Sequence, residues 1–194
     1  MKEENSIYSI ISNKVIGLSI SESEDLAKLG FGSSHLEDAK IEIARHLLAC
    51  GAVLMYGGDL RDNGYTMLLF DLVENYKPKH IPDSRISLIN YLSWPNHIRL
   101  NDSVRAKLSG RVKFEKTGLP KDLPKNLRAE EYLNPKTSEE FYVWCRAMSH
   151  MRHQMAKVND ARVVLGGGIC EYKGKYPGII EEILMCLKAS KPLY

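Results

Sequence analysis

The chain has 194 residues, a formal net charge of +3, and 44% hydrophobic against 26% charged residues. That is enough core for one independently folding domain of ordinary globular composition, and too little charge for the basic stripe that nucleic-acid binding leaves. No apolar run approaches a bilayer span, the polar and acidic start does not read as a secretory signal, and Cys50, Cys145, Cys170 and Cys186 are scattered with no CxxC pair, so a cytoplasmic protein with reduced, buried or half-buried thiols is expected.

Taken in chain order, Lys14–Ile20 reads as a buried strand ending in small residues. Residues 21–33 read as loop. Ser34–Glu37 has the form of a capping box, and Leu36, Ala39, Ile43 and Leu47 follow at helical spacing until Gly51 ends the helix. Ala52–Tyr56 is a second apolar strand that runs into Gly57-Gly58-Asp59. Strand, helix, strand at this spacing implies two parallel strands in one sheet.

Gly64–Glu74 reads as the next helix, closed by Pro78 and Pro82. Ile86–Leu92 is a strand stopped by Trp94-Pro95. Val104–Leu108 is a short helix, Arg111–Glu115 an alternating strand, and residues 116–136, rich in Lys and Pro, an exposed loop. Thr137–Glu140 is another capping box, followed at helical spacing by Phe141, Trp144, Met148, Met151 and Met155. Ala161–Leu165 is a buried strand, Gly178–Leu187 a helix, and Lys191–Tyr194 the opening of a further strand. These alternations predict an α/β fold: a Rossmann-like, open, mostly parallel sheet with helices on both faces. Residues 1–194 are expected to be a single domain of a longer protein cut near Tyr194.

Ligands of such sheets bind beyond the carboxyl ends of the strands, and three small-residue turns fall there. The first, Gly17-Leu-Ser19-Ile-Ser21, lets a phosphate or ribose sit over the strand end. In the second, Gly57-Gly58-Asp59-Leu-Arg61 followed by Gly64-Tyr-Thr66, glycines permit close approach, Arg61 can meet phosphate, and Asp59 can meet a hydroxyl or brace the loop. In the third, Arg152 precedes the strand and Gly166-Gly167-Gly168 follows it, and Gly178 opens a helix with Glu181 and Glu182. An arginine to pair with phosphate and a glutamate to accept from ribose hydroxyls suit a nucleotide-like ligand. Which glutamate does so depends on a helix phase that can slip by one residue. The plain alternative at the second is a tight turn with charges in solvent, and at the third a surface arginine, a Glu181 capping the positive end of the helix dipole, and a glycine turn. His150 and His153 lie three apart, but no third ligand stands at a telling spacing, so no metal is expected. No G-x-S-x-G marks a nucleophile, and no cofactor is implied.

The last third resembles the SLOG superfamily, which unites the "lonely guy" phosphoribohydrolases, DprA-like proteins and TRPM sensor domains. The lonely-guy proteins carry H-x-R-K and D-A-x-x-x-L-P-G-G-x-G-T-x-x-E motifs. His150-x-Arg152 matches the first part of the one, and Asp160-Ala161, Leu165, Gly167-Gly168 and Gly178-Ile-Ile-Glu-Glu182 match the other, placing Glu182 on the catalytic glutamate. Gly166 stands where proline is expected, Ile179 replaces the threonine, and Ile169–Pro177 is an insertion. The first half, including Gly32…His35, Tyr56–Arg61 and Asn90–Pro95, resembles SLOG modules of bacterial conflict systems. The resemblance implies a sensor of a nucleotide-derived signal, such as ADP-ribose or a cyclic ADP-ribose isomer. It also implies a homo-oligomer, and regulation of a fused or associated effector as in Thoeris anti-phage defence. The implied alternative is a nucleoside-monophosphate phosphoribohydrolase using Arg152 and Glu182.

Overall fold

The computed structural model describes residues 10–58, 60–61, 64–76, 85–108, 110–123 and 130–194. Asp59, Pro78 and Pro82 lie outside them. Five strands, β1 (Val15–Ser21), β2 (Val53–Gly57), β3 (Leu88–Ser93), β4 (Val112–Thr117) and β5 (Ala161–Gly166), form one sheet in the order β4-β3-β2-β1-β5. Every pairing is parallel, where mostly parallel was expected. The helices are α1 (Asp25–Lys28), α2 (Ser33–Ala49), α3 (Tyr65–Asn75), α4 (Asp102–Lys107), α5 (Ser138–Val158) and α6 (Gly178–Lys188).

This order follows from handedness. From β1 to β4 each strand is laid beside the last in one direction, and right-handed crossovers keep α2, α3 and α4 on a single face. The chain then returns across the whole sheet to place β5 on the far side of β1. The same hand therefore puts α5, and α6 after it, on the opposite face. The reversal lies between β1 and β5, where the connections after the two strands leave to opposite faces and frame a crevice at their carboxyl ends.

Alternation along the strands sorts the side chains. Leu18, Leu54, Leu88 and Val112 point toward α2 and α3, where they pack with Ala44, Leu48, Leu69, Phe70 and Val73. Met55 and Tyr91 face α5 and meet Met151 and Met155. Three expectations are corrected. Residues 21–33 contain the helix α1. The α2 helix starts one residue before the expected box, with Gly32 as N-cap and its N–H donating to His35 Nδ1 at 3.0 Å, because the imidazole reaches the cap that Ser34 and Glu37 do not. The segment 116–136 is not wholly exposed. Leu119, Leu123 and Leu133 pack with Trp94, Val143 and Ala147, since Leu side chains spaced among Lys and Pro still find the end of α5. In α5 the box is as expected, with Glu140 N–H donating to Thr137 Oγ1 at 3.2 Å and Thr137 N–H to Glu140 Oε2 at 3.1 Å. Phe141 is exposed, on the outer side of that helix.

Pro192 to Tyr194 continue the sheet. Arg162 N–H donates to the Pro192 carbonyl at 3.0 Å and Tyr194 N–H to that of Arg162 at 3.0 Å, a parallel bridge on the outer side of β5. All four cysteines are free; Cys50 and Cys186 are buried and Cys145 is half-buried, but Cys170, expected to be at least half-buried, is exposed because it lies in the turn region between β5 and α6. Among the described residues no helix is long and apolar enough to cross a membrane, and no three His, Cys, Asp or Glu are grouped to hold a metal ion.

Candidate functional site

A cleft of about 160 Å³ lies at the reversal, over the carboxyl ends of β1, β2 and β5. Ser19, Ser21 and Gly57 come to it from strand ends, Arg152 from α5, and Gly168, Gly178 and Glu182 from the turn and helix after β5. A second cleft of about 250 Å³ shares Tyr56 and Gly57 with the first and continues toward β3, taking in Gly58, Arg61 and Thr66. The two clefts thus draw in residues that the sequence placed in three separate turns. Gly17 and Gly167 lie outside both linings: Gly17 is under the first cleft, and Gly167, at φ +114°, packs on Ile179.

The phase of α6 puts Glu182 in the cleft wall and turns Glu181 toward α5. Both are buried, and each has its own arginine. Arg152 Nη1 donates to Glu181 Oε2 at 2.6 Å and to the Lys173 carbonyl at 2.9 Å. Ser149 Oγ donates to Glu181 Oε1 at 2.6 Å and accepts from Lys175 N–H at 3.1 Å, so this pair also pins the 169–177 insertion. Arg162 Nη1 donates to Glu182 Oε2 at 2.7 Å and to Ser19 Oγ at 2.7 Å, and the Ser19 hydroxyl in turn donates to the same Glu182 oxygen. Arg152 Nε, 3.8 Å from Glu182 Oε1, links the two pairs. The result is a chain of alternating charges, Glu181–Arg152–Glu182–Arg162, closed at each end by a serine.

Arg162 was not singled out from sequence, where it was absorbed into the apolar run Ala161–Leu165. It is fully buried. A charge inside an otherwise apolar strand has to be paired or pay several kcal/mol of desolvation, and that anomaly was the available signal. Its partner is readable only from register: Gly17 stands directly across from Arg162. A Cβ at Gly17 would sit 2.9 Å from the Arg162 Cζ. Gly17 therefore makes room for a guanidinium of the protein, where room for a ligand was expected. Gly178 does the same for Arg152, its Cβ position lying 2.7 Å from Nη2.

The second cleft is built differently. Tyr56 and Tyr65 meet edge to face at 5.0 Å on its wall, and burial pushes the Tyr65 phenol above its ordinary range. Trp144 and Lys173, also missed from sequence, line its other side with the Lys173 ammonium 4.5 Å from the centre of the Trp144 ring.

With this geometry in view, a comparison with protein families is decisive. The family described as SLOG cluster2 matches residues 10–194. The chain belongs to the SLOG cluster2 family. No curated protein and no solved structure matches it. Membership makes this a nucleotide-related SLOG domain. The sheet puts Arg152 and Glu182, the pair whose surroundings resemble the lonely-guy motifs, on one cleft at the strand reversal.

Proposed function

We propose that this SLOG domain is a sensor that binds a nucleotide-derived signal of the ADP-ribose kind, cyclic isomers included, and passes its occupancy to a linked effector in bacterial defence. The observation that carries the reading is the fixed Arg152–Glu182 pair at the head of two joined clefts. Glu182 Oε2 is taken by Ser19 and Arg162, so Oε1 is the oxygen left to accept from a ribose hydroxyl. Ser19, Ser21, Gly168 and Gly178 surround that end, and Gly58, Arg61 and Thr66 supply contacts further along. A ligand shifts an oligomer or domain arrangement only through unequal affinity for two states, so a homo-oligomer whose assembly differs with ligand is expected.

A second reading rests on the same carboxylate. Held by two groups and unable to swing away, Glu182 has the preorganisation that favours an oxocarbenium-like transition state. The domain would then be a lonely-guy-type phosphoribohydrolase. Against this stands the 169–177 insertion, which separates Gly168 from the start of α6.

Isothermal titration against AMP, NAD, ADP-ribose and cyclic ADP-ribose isomers, with chromatography of each mixture, separates the two. Micromolar or tighter binding of an intact ADP-ribose-type ligand, lost in Glu182→Gln, is the expected result. Release of free base from AMP overturns the sensor reading in favour of the hydrolase. No binding by any member of the panel overturns both.

A further inference from the structure

The two clefts differ in charge, and the difference says which end of a ligand goes where. In the first, Arg152 and Arg162 are matched by Glu181 and Glu182, and Arg152 is already engaged by a carboxylate and a carbonyl. That end is electrically closed. An added phosphate meets two carboxylates there as well as two guanidinium groups, with no net positive charge to draw it. The described lining of the second cleft holds Arg61 and Lys173 and no carboxylate. Arg61 is engaged with another group of the chain.

Lys173 differs from it. The residue is exposed, and its ammonium rests on the face of Trp144. An exposed cation–π contact is weak beside a charge-assisted hydrogen bond to a phosphate oxygen, so an arriving anion can recruit this ammonium. The position of Lys173 is also set by the first cleft, because its own carbonyl accepts from Arg152. The insertion that departs from the family motif therefore delivers a cation to the neighbouring cleft.

We propose that the second cleft is the anion subsite, in which Lys173 binds a phosphate or pyrophosphate group while the first cleft holds the uncharged ribose end. The ligand class is accordingly a nucleotide whose phosphate lies away from the ribose read by Glu182, and Arg152 acts as a positioning residue. This inference rests on the proposed nucleotide reading.

The test is titration of wild type, Lys173→Ala and Lys173→Arg with the same nucleotide panel and with adenosine as an uncharged probe. Thermal melts check folding, and Trp144 fluorescence reports the departure of the ammonium. We expect Lys173→Ala to weaken phosphate-bearing ligands by about tenfold or more, to leave adenosine within about twofold, and to be rescued by Lys173→Arg. Unchanged affinity for the nucleotides in Lys173→Ala overturns the subsite and leaves the sensor reading standing. Equal loss for adenosine and nucleotides also overturns it, since that marks a packing role for the lysine stem. Failure of wild type to bind any nucleotide overturns the sensor reading, and this inference with it.

Discussion

The two faces of the sheet are made of opposite materials. Toward α2 and α3 the interior is a continuous apolar layer, with Leu18, Leu54, Leu88 and Phe70 packed at its centre. Toward α5 and α6 a small cluster of methionines and Tyr91 gives way, at β1 and β5, to two buried arginines and two buried glutamates. An apolar layer stabilises a fold and tolerates adjustment, because its attraction is non-directional. A closed set of ion pairs adds little net stability yet is costly to break, and it fixes atoms in place. One face holds the domain together and the other fixes in place the charged groups beside the cleft.

The largest test of that division is Arg162→Ala. It strands Glu182 and Ser19 without their cation and should cost about 3–5 kcal/mol in urea denaturation. Replacing Arg162 and Glu182 together by apolar residues should return most of it. A cost near zero for the single variant would mean that the network holds nothing. Next is Leu54→Ala, which removes a fully buried side chain of the apolar face and should cost about 2–5 kcal/mol while leaving ligand affinity unchanged. Loss of binding there would blur the contrast between the faces.

Gly17→Ala is smaller. Its new methyl meets the Arg162 guanidinium and should cost about 1–3 kcal/mol, most of it vanishing in an Arg162→Met background, as a double-mutant cycle would read. Smallest is the start of α5. Thr137→Ala should cost about 1 kcal/mol in thermal melts. The Glu140 carboxyl is held below its usual range first by the Lys136 N–H and then by the Thr137 N–H. Its contribution is therefore complete above the ordinary carboxylate pKa and is lost as pH falls through the lowered one. Glu140→Gln should lower stability at neutral pH and abolish that acid-side loss.

The apolar face was largely legible in the sequence and the polar one was not. β1 announces itself as an apolar run ending in small residues, β2 and β5 as short apolar runs that end in glycine, and Thr137-Ser-Glu-Glu140 carries its own cap. Such signals are local. Arg162 could be recognised as anomalous, but its partners Gly17, Ser19 and Glu182 depend on register and on the phase of α6, neither of which is a local property. Lys173 escaped because it sits in an insertion with no periodicity, and its place beside Trp144 is set by two hydrogen bonds to α5. At Gly17 the space left by the missing Cβ is filled by a guanidinium of the protein, which the glycine alone could not announce, because a missing Cβ does not say what fills the space.

The pairing of the first strand with the fifth has a consequence for how the molecule comes to exist. Ser19 and Glu182 are separated by 163 residues, so their contact is among the costliest in loop entropy, and contacts of such sequence span are slow to form. β1 through β4 can assemble side by side as they emerge, each against its predecessor. The crevice has no counterpart in that partial sheet. It comes into being only when β5 closes on β1, so a chain interrupted before residue 182 lacks the Glu182 wall of the cleft, however well the rest has folded.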